Sequence, residues 1–154
     1  MITLHPMTPD DQDFLCRVYA STREQELAQV DWDEAHKTAF VQMQFDAQHR
    51  YYAENYPHAQ FQIILVDGEP AGRLYVDRRA AEIRIMDITL LPAFRGQGIG
   101  SRLLNEILAE GQAHGLPVTI HVERFNPALR LYERLGFRLL EDKGVYYLME
   151  WTPH

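Results

Sequence analysis

The stretch Asp87-Ile88-Thr89-Leu90-Leu91-Pro92-Ala93-Phe94-Arg95-Gly96-Gln97-Gly98-Ile99-Gly100-Ser101 decides the fold. A β-prone apolar run stops at Pro92 and three glycines follow within five residues. From Ile99 the residues Leu103, Leu104, Ile107 and Leu108 then recur at helical spacing up to His114-Gly115. A strand, a sharp loop and a helix N-terminus therefore succeed one another. The glycines leave backbone amides unobstructed where the helix carries partial positive charge, which favours a phosphate or pyrophosphate. The spacing RGQGIG differs from the GxGxxG of a dinucleotide fold, and no GKS or GKT follows, as a nucleoside triphosphate loop requires. Arg95 either adds a charged donor or points to solvent.

Upstream, 82–90 reads as the third of three strands. Residues 61–66, the Asp67-Gly68 turn and 71–76 precede it with short links, so the three should be antiparallel neighbours. Earlier still, Ile2-Thr3-Leu4 is a short strand. Thr8-Pro9-Asp10-Asp11 opens one helix, and Asp31 with Glu34 opens a second that runs toward Tyr52; the segment 23–30 is left open. Downstream, 117–122 is a strand, 126–135 a helix stopped by Gly136, and 137–140 with 145–149 a last pair of strands. The fold expected is α/β, a mixed and mostly antiparallel twisted sheet flanked by helices. Its element order is β-α-α-β-β-β-α-β-α-β-β, with residues 1–154 as a single domain.

Composition bounds the function. With 154 residues, 46% hydrophobic and 24% charged, the chain has enough apolar material for a core. Fifteen Lys+Arg against 22 Asp+Glu give a formal charge of −7, which argues against a general nucleic-acid binder. The one cysteine, Cys16, excludes an intrachain disulfide and any CxxC site, and reads as core rather than nucleophile. No apolar run is long enough to span a bilayer and no signal pattern opens the chain, so a cytoplasmic protein without membrane association is expected. The seven histidines lack metal-ligand spacing, and no metal site is expected.

Arg95-x-x-Gly98-x-Gly100 resembles the pyrophosphate-binding signature of the GCN5-related N-acetyltransferase superfamily, which uses acetyl-coenzyme A. The segment from Asn126 through Tyr132 to Gly136-Phe137 is similar to the late helix of that superfamily, and the element order agrees. The two motifs cover the C-terminal half; the N-terminal half agrees only in layout. The resemblance implies that strand 82–90 splays from strand 117–122 and that the pantetheine arm pairs there with the backbone of Ile88, Thr89 and Leu90. It implies that Arg95, Gly96, Gln97, Gly98, Ile99, Gly100 and Ser101 wrap the pyrophosphate, and that Asn126 binds the cofactor or caps its helix. It also implies that Tyr132 protonates the departing thiolate as acetyl passes directly to a primary amine of a small molecule or peptide.

The base that deprotonates the amine is open: Glu82 and Asp87 are candidates, with Glu123 behind them. Strict alternation would put Glu82, Arg84, Met86 and Ile88 on one face and Ile83, Ile85, Asp87 and Thr89 on the other, where Asp87 is either buried and paired or displaced by a bulge near the splay. Aligning on the glycines puts Arg84 near the glutamate of histone-acetylating relatives, a departure from that pattern. Glu82 also has a structural reading, paired with Arg84 or Arg73. The acceptor is expected among Tyr19, Glu24, Glu26, Trp32, Phe40, Tyr146, Tyr147 and the Gln- and Tyr-rich stretch 42–56. Two alternatives stay open: a non-catalytic acyl-CoA-binding module, and an acyltransferase using another acyl group or a hydroxyl acceptor. A homodimer through the last strands is a further expectation.

Overall fold

In the computed structural model, which describes residues 1–154, apolar alternation and turn residues lay down seven strands of one sheet. These are β1 (Ile2–Pro6), β2 (Gln60–Val66), β3 (Glu69–Arg78), β4 (Ile83–Leu90), β5 (Val118–Glu123), β6 (Arg138–Asp142) and β7 (Tyr146–Trp151). The helices are α1 (Gln12–Ser21), α2 (Glu24–Ala28), α3 (Glu34–Asn55), α4 (Ile99–His114) and α5 (Leu129–Arg134). Strand order is β1-β2-β3-β4-β5-β7-β6, and every pairing is antiparallel except β4 with β5. That parallel pair holds at only three positions, Ile83 to Val118, Arg84 to Thr119 and Ile85 to Ile120. Beyond them β4 and β5 part, leaving the expected V.

Each face of the sheet carries its own core. On one face the stripe Leu103, Leu104, Ile107 and Leu108 of α4 packs with Ile83, Ile85, Val118, Ile120, Val122 and Tyr132. Burying each such leucine contributes roughly 1.5–3 kcal/mol relative to exposure. On the other face Leu15 and Tyr19 of α1 and Val41 and Phe45 of α3 pack on Ile63 and Tyr75. This second core covers only the β2–β4 side of the sheet.

Several sequence expectations shift. The open segment 23–30 holds α2, so three helices rather than two separate β1 from β2. The long helix starts from Asp33, not Asp31, because the Asp33 carboxylate accepts the His36 N–H at 2.7 Å. The late helix spans Leu129–Arg134 rather than 126–135, since Asn126 and Pro127 form a turn before it.

The strict alternation along β4 also fails. In the β3–β4 register Tyr75 faces Asp87 and Val76 faces Ile85, so Met86 is an extra, bulged residue. Ile83, Ile85, Ile88 and Leu90 consequently all belong to the α4 core, while Met86 joins the α1/α3 core. Asp87 reaches Gln48 of α3 through Arg73, and Thr89 bonds Asp87. The bulge thus turns Asp87 and Thr89 to the α1/α3 face and Ile88 to the α4 face.

Candidate active site

The glycine loop stands at the open end of the V, where β4 runs out. After Leu91 a short 3-10 turn, Pro92–Phe94, leads to Arg95. Gly96 and Gly98 take φ of +72° and +80°, a region where a side chain costs about 1–2 kcal/mol. Gly98 is the N-cap of α4, and no atom lies within 4 Å of where a Cβ would sit on either glycine. The Gly98 carbonyl accepts from Arg102, whereas the N–H groups of 96–101 have no acceptor in the chain. Ile99, buried beneath them, anchors the helix start. This curl of free donors at the positive end of a sixteen-residue helix fits a pyrophosphate.

Arg95 is exposed and holds the loop. Its Nε donates to the Leu90 carbonyl at 2.9 Å and its Nη2 to the Ser21 hydroxyl at 3.3 Å, pinning the loop to the end of β4 and to α1. Gln97 folds back to the Ala93 carbonyl at 2.9 Å. Asn126 accepts the Ala128 N–H on its Oδ1 at 2.8 Å, so that oxygen supports the turn before α5.

On the α1/α3 side of the V the central group is Asp87. One carboxylate oxygen accepts from the Thr89 hydroxyl at 2.6 Å and the other from Arg73, whose guanidinium also donates to Gln48 at 2.9 Å. Arg73 is 2% exposed and lies over the ring of Tyr75, 4.9 Å from its centroid. Burial alone would lower the pKa of this arginine, but Asp87 together with Tyr75 and Tyr52 holds it above its usual value. An unpaired guanidinium at this depth would be strongly destabilising, so Arg73 and Asp87 form a unit. Gly72 lets β3 close on this half of β4, because a Cβ there would stand 2.1 Å from the Thr89 carbonyl oxygen.

Tyr132 comes from the other side. Its ring is buried in the α4 core, edge-on to Phe137, while its hydroxyl makes no protein hydrogen bond and is not sealed from solvent. Burial, and then the charge of Asp87, raises its pKa well above the ordinary tyrosine value, so the hydroxyl keeps its proton. The Asp87 charge also raises Tyr52, Tyr75 and Tyr146, in each case behind burial as the largest cause. Asp87 and Thr89 are bonded to each other at the opening, and the charge of Asp87 is felt at Tyr132 and, more weakly, at Tyr146.

Glu82 is not part of that group. It lies at the closed end, accepting from Thr119 and pairing with Arg84 at 3.3 Å and Arg79 at 3.4 Å. At about 3.3 Å of rise per residue that is on the order of 15 Å from Asp87. Of the acceptor candidates, Tyr19 is buried in the α1/α3 core with its hydroxyl donating to Gln44 at 3.2 Å, Tyr52 packs on Tyr75 and Phe61, and Tyr146 stands opposite Glu123 at the end of β5. Trp32 instead stacks on His36 with ring centroids 4.1 Å apart, and Tyr147 lies under Arg124. Cys16 donates to Gln42 at 3.4 Å in a groove of about 490 Å³ between α1, α2 and α3; burial, then Asp46 and Asp13, raise its thiol, and the residue sits half-buried at the edge of the α1/α3 core rather than within it.

Two residues stand out that the sequence reading gave no role here. Arg73 is known there only as a possible partner of Glu82. Arg23, in the segment left open, donates to the Tyr19 hydroxyl at 3.3 Å and pairs with Glu123 of β5 at 3.5 Å, crossing the mouth of the V. No cluster of three or more His, Cys, Asp or Glu able to hold a metal is present, and no helix is long and apolar enough to cross a membrane.

Comparison with known proteins agrees with this geometry. The chain is 38% identical over 88 residues to a mycothiol acetyltransferase of Corynebacterium glutamicum, covering 54% of this chain and 30% of that protein. It is 36% identical over 84 residues to the mycothiol acetyltransferase of Thermobifida fusca, covering 53% and 23%. The chain therefore spans less than a third of the length of these relatives. Among solved structures, the PaiA N-acetyltransferase of Thermoplasma acidophilum in complex with coenzyme A superposes with a TM-score of 0.73 at 17% identity, covering 99% of both chains. The ribosomal-protein-S18-alanine N-acetyltransferase of Escherichia coli gives 0.64 at 16% identity, covering 99% of this chain and 94% of the other. The model of the acetyltransferase (GNAT) family matches residues 22–137, which takes in the glycine loop, the V and Tyr132, and the chain belongs to that family.

Proposed function

We propose that the protein is an acetyl-CoA-dependent N-acetyltransferase that passes acetyl directly to a primary amine of a small molecule or peptide. The observation that carries this reading is the loop 96–101, with its free N–H groups and open space, at the mouth of the V in a member of this family. These N–H groups would hold the pyrophosphate, with Ile88, Thr89 and Leu90 along the pantetheine arm. Acetyl-CoA supplies an acyl group activated as a thioester.

The rest is done by this chain. Tyr132 holds a proton on a hydroxyl free to donate it to the leaving group. Asp87, oriented by Arg73 and Thr89, faces the incoming amine and is the base or its relay. Glu82 stays with the frame, and Asn126 supports the turn that carries Tyr132. The whole of 1–154 acts as one unit, in the cytoplasm; a homodimer through β6 and β7 is the reading for assembly. The likeness to mycothiol acetyltransferases supports acetyl transfer.

Calorimetric titration with acetyl-CoA tests the reading, run on the protein and on Gly98→Val, with thiol release followed for Tyr132→Phe. Expected are saturable binding that Gly98→Val weakens at least tenfold, and turnover that falls about 100-fold in Tyr132→Phe with binding intact. Absence of binding at millimolar acetyl-CoA would overturn the reading. Binding without thiol release for any amine would reduce the protein to an acyl-CoA-binding module.

A further inference from the structure

The chain uses arginine almost wherever it needs a cation: of its 15 Lys+Arg only Lys37 and Lys143 are lysines. With the Met1 amine they are the primary amines of the protein itself. Two of the three face carboxylates, the Met1 amine at Asp67 and Lys37 at Glu34, 3.9 Å away. An amine turned to a carboxylate donates its hydrogens there and offers no lone pair outward. Lys143 has no such partner; its Nζ stands 3.4 Å from Nε2 of His121. The acids nearby are otherwise placed. Asp142 pairs with Arg124 at 2.6 Å, and Glu82 belongs to Arg79, Arg84 and Thr119. Glu141, felt at His121, and Glu150, opposite Thr119, make no ion pair.

The place matters as much as the partner. Val118, Ile120 and Val122 belong to the α4 core, so alternation turns His121 to the other face, the one Asp87 takes on β4. His121 is also the first β5 residue past the last pairing with β4, at the fork of the V. The hairpin that carries Lys143 is tied to the mouth, where the Lys143 N–H donates to the Tyr146 carbonyl at 2.8 Å and Tyr146 stands opposite Glu123. The lysine side chain therefore runs from the mouth back to the fork, on a stretch of sheet that the α1/α3 core does not cover. A cofactor with its pyrophosphate on loop 96–101 and its arm along β4 from Leu90 to Ile88 runs the same way. Its thioester arrives at the same fork.

We infer that Lys143 is an internal acceptor, acetylated at Nζ by its own chain when acetyl-CoA is bound. The inference rests on the acetyl-transfer reading above and adds a modification site to it. The ammonium gives up one proton to solvent, and the freed lone pair attacks the thioester carbonyl. An N–C bond forms and the C–S bond breaks. Tyr132 protonates the departing sulfur and recovers a proton from the new amide nitrogen by way of solvent. One acetyl-CoA thus becomes one acetyl-lysine, one coenzyme A thiol and one free proton. Tethering at the fork replaces the encounter with an outside amine. An amide nitrogen does not attack again, so each chain is modified once.

The test incubates the full chain with acetyl-CoA and no added amine, and follows intact mass, peptide mapping and thiol release. Expected is one acetyl per chain, with Lys143 about ten times or more as occupied as Lys37 and Met1. One equivalent of thiol should appear in a burst that Lys143→Arg abolishes with acetyl-CoA affinity unchanged. Excess coenzyme A should suppress the modification, and Gly98→Val should lower it about tenfold or more. Gly98→Val chains mixed with Lys143→Arg chains should stay unmodified. Acetyl spread alike over the three amines, or labelling of Lys143 that coenzyme A does not slow, marks reaction with free acetyl-CoA and overturns the inference. Labelling of Gly98→Val by Lys143→Arg chains overturns it as well, since acetyl then passes between molecules. Calorimetric binding of acetyl-CoA with Lys143 left unmodified overturns the inference while leaving the acetyl-transfer reading standing. Failure to bind acetyl-CoA at all overturns both readings together.

Discussion

At its Glu82 end β4 is held by a carboxylate shared among Arg79, Arg84 and the Thr119 hydroxyl of β5, so this network bolts the two parallel strands to each other. Five residues on, Asp87 turns the other way, to Arg73 of β3 and through it to Gln48 of α3, and nothing ties it to β5. Both acids pair with arginines, yet only Glu82 also reaches β5, by accepting from the Thr119 hydroxyl. Where the carboxylate network takes in Thr119 of β5 the cleft is shut; where the carboxylate pairs only with β3 the strands β4 and β5 diverge. What separates frame from site is the hydroxyl of Thr119, which draws the Glu82 network onto β5 and has no counterpart on β5 beside Asp87.

The comparison breaks most sharply at Asp87. Asp87→Ala leaves the Arg73 guanidinium buried without its counter-charge and should destabilise the fold by about 3–5 kcal/mol, read by urea denaturation. The double variant Arg73→Met, Asp87→Leu removes both charges and should recover much of that stability but none of the turnover. If Asp87→Ala unfolds at the parent midpoint, the two residues do not form the unit described.

Glu82→Gln is the counterpart at the closed end. It loses two partly exposed ion pairs, keeps an acceptor for Thr119, and should cost about 1 kcal/mol. Its kcat should stay within about twofold of the parent, because electrostatic help falls away over this distance. A far larger loss of kcat with the fold intact would move the base to the closed end.

The smallest effect concerns His121, the first β5 residue past the last β4 pairing. Its ring lies 3.4 Å from both Arg84 and Lys143, and burial, then these two cations, hold its pKa below the usual histidine value. The unfolded chain therefore takes up this proton more readily. The stability linked to His121 is complete above the ordinary histidine pKa and declines as pH falls through it toward the lower folded value. His121→Gln should flatten the dependence of melting temperature on pH between about 7 and 5. An unchanged slope would show that Arg84 and Lys143 do not act on the ring.

How much of this could be read from the residues follows from the range of the forces involved. Helix α4 and its glycine loop are written locally, in Gly96, Gly98 and the leucine spacing, and their reading carries over to the structure. The splay came from the resemblance. The Met86 bulge was open only as a possibility, because one inserted residue leaves no mark on composition while it reverses every later side chain. Arg23 with Glu123 joins positions a hundred residues apart, and no periodicity encodes such a pair. The choice of Asp33 over Asp31 turned on backbone geometry, since both acids satisfy the capping preference.

The strand order has one consequence for how the molecule forms. β7 lies between β5 and β6, so β6 finds no place in the sheet until the chain that follows it has already docked on β5. Synthesis and assembly thus run in opposite order over this region. The β5–β7–β6 wing should assemble as one late, cooperative step in refolding, with the amides of β6 gaining protection from hydrogen exchange only when those of β7 do.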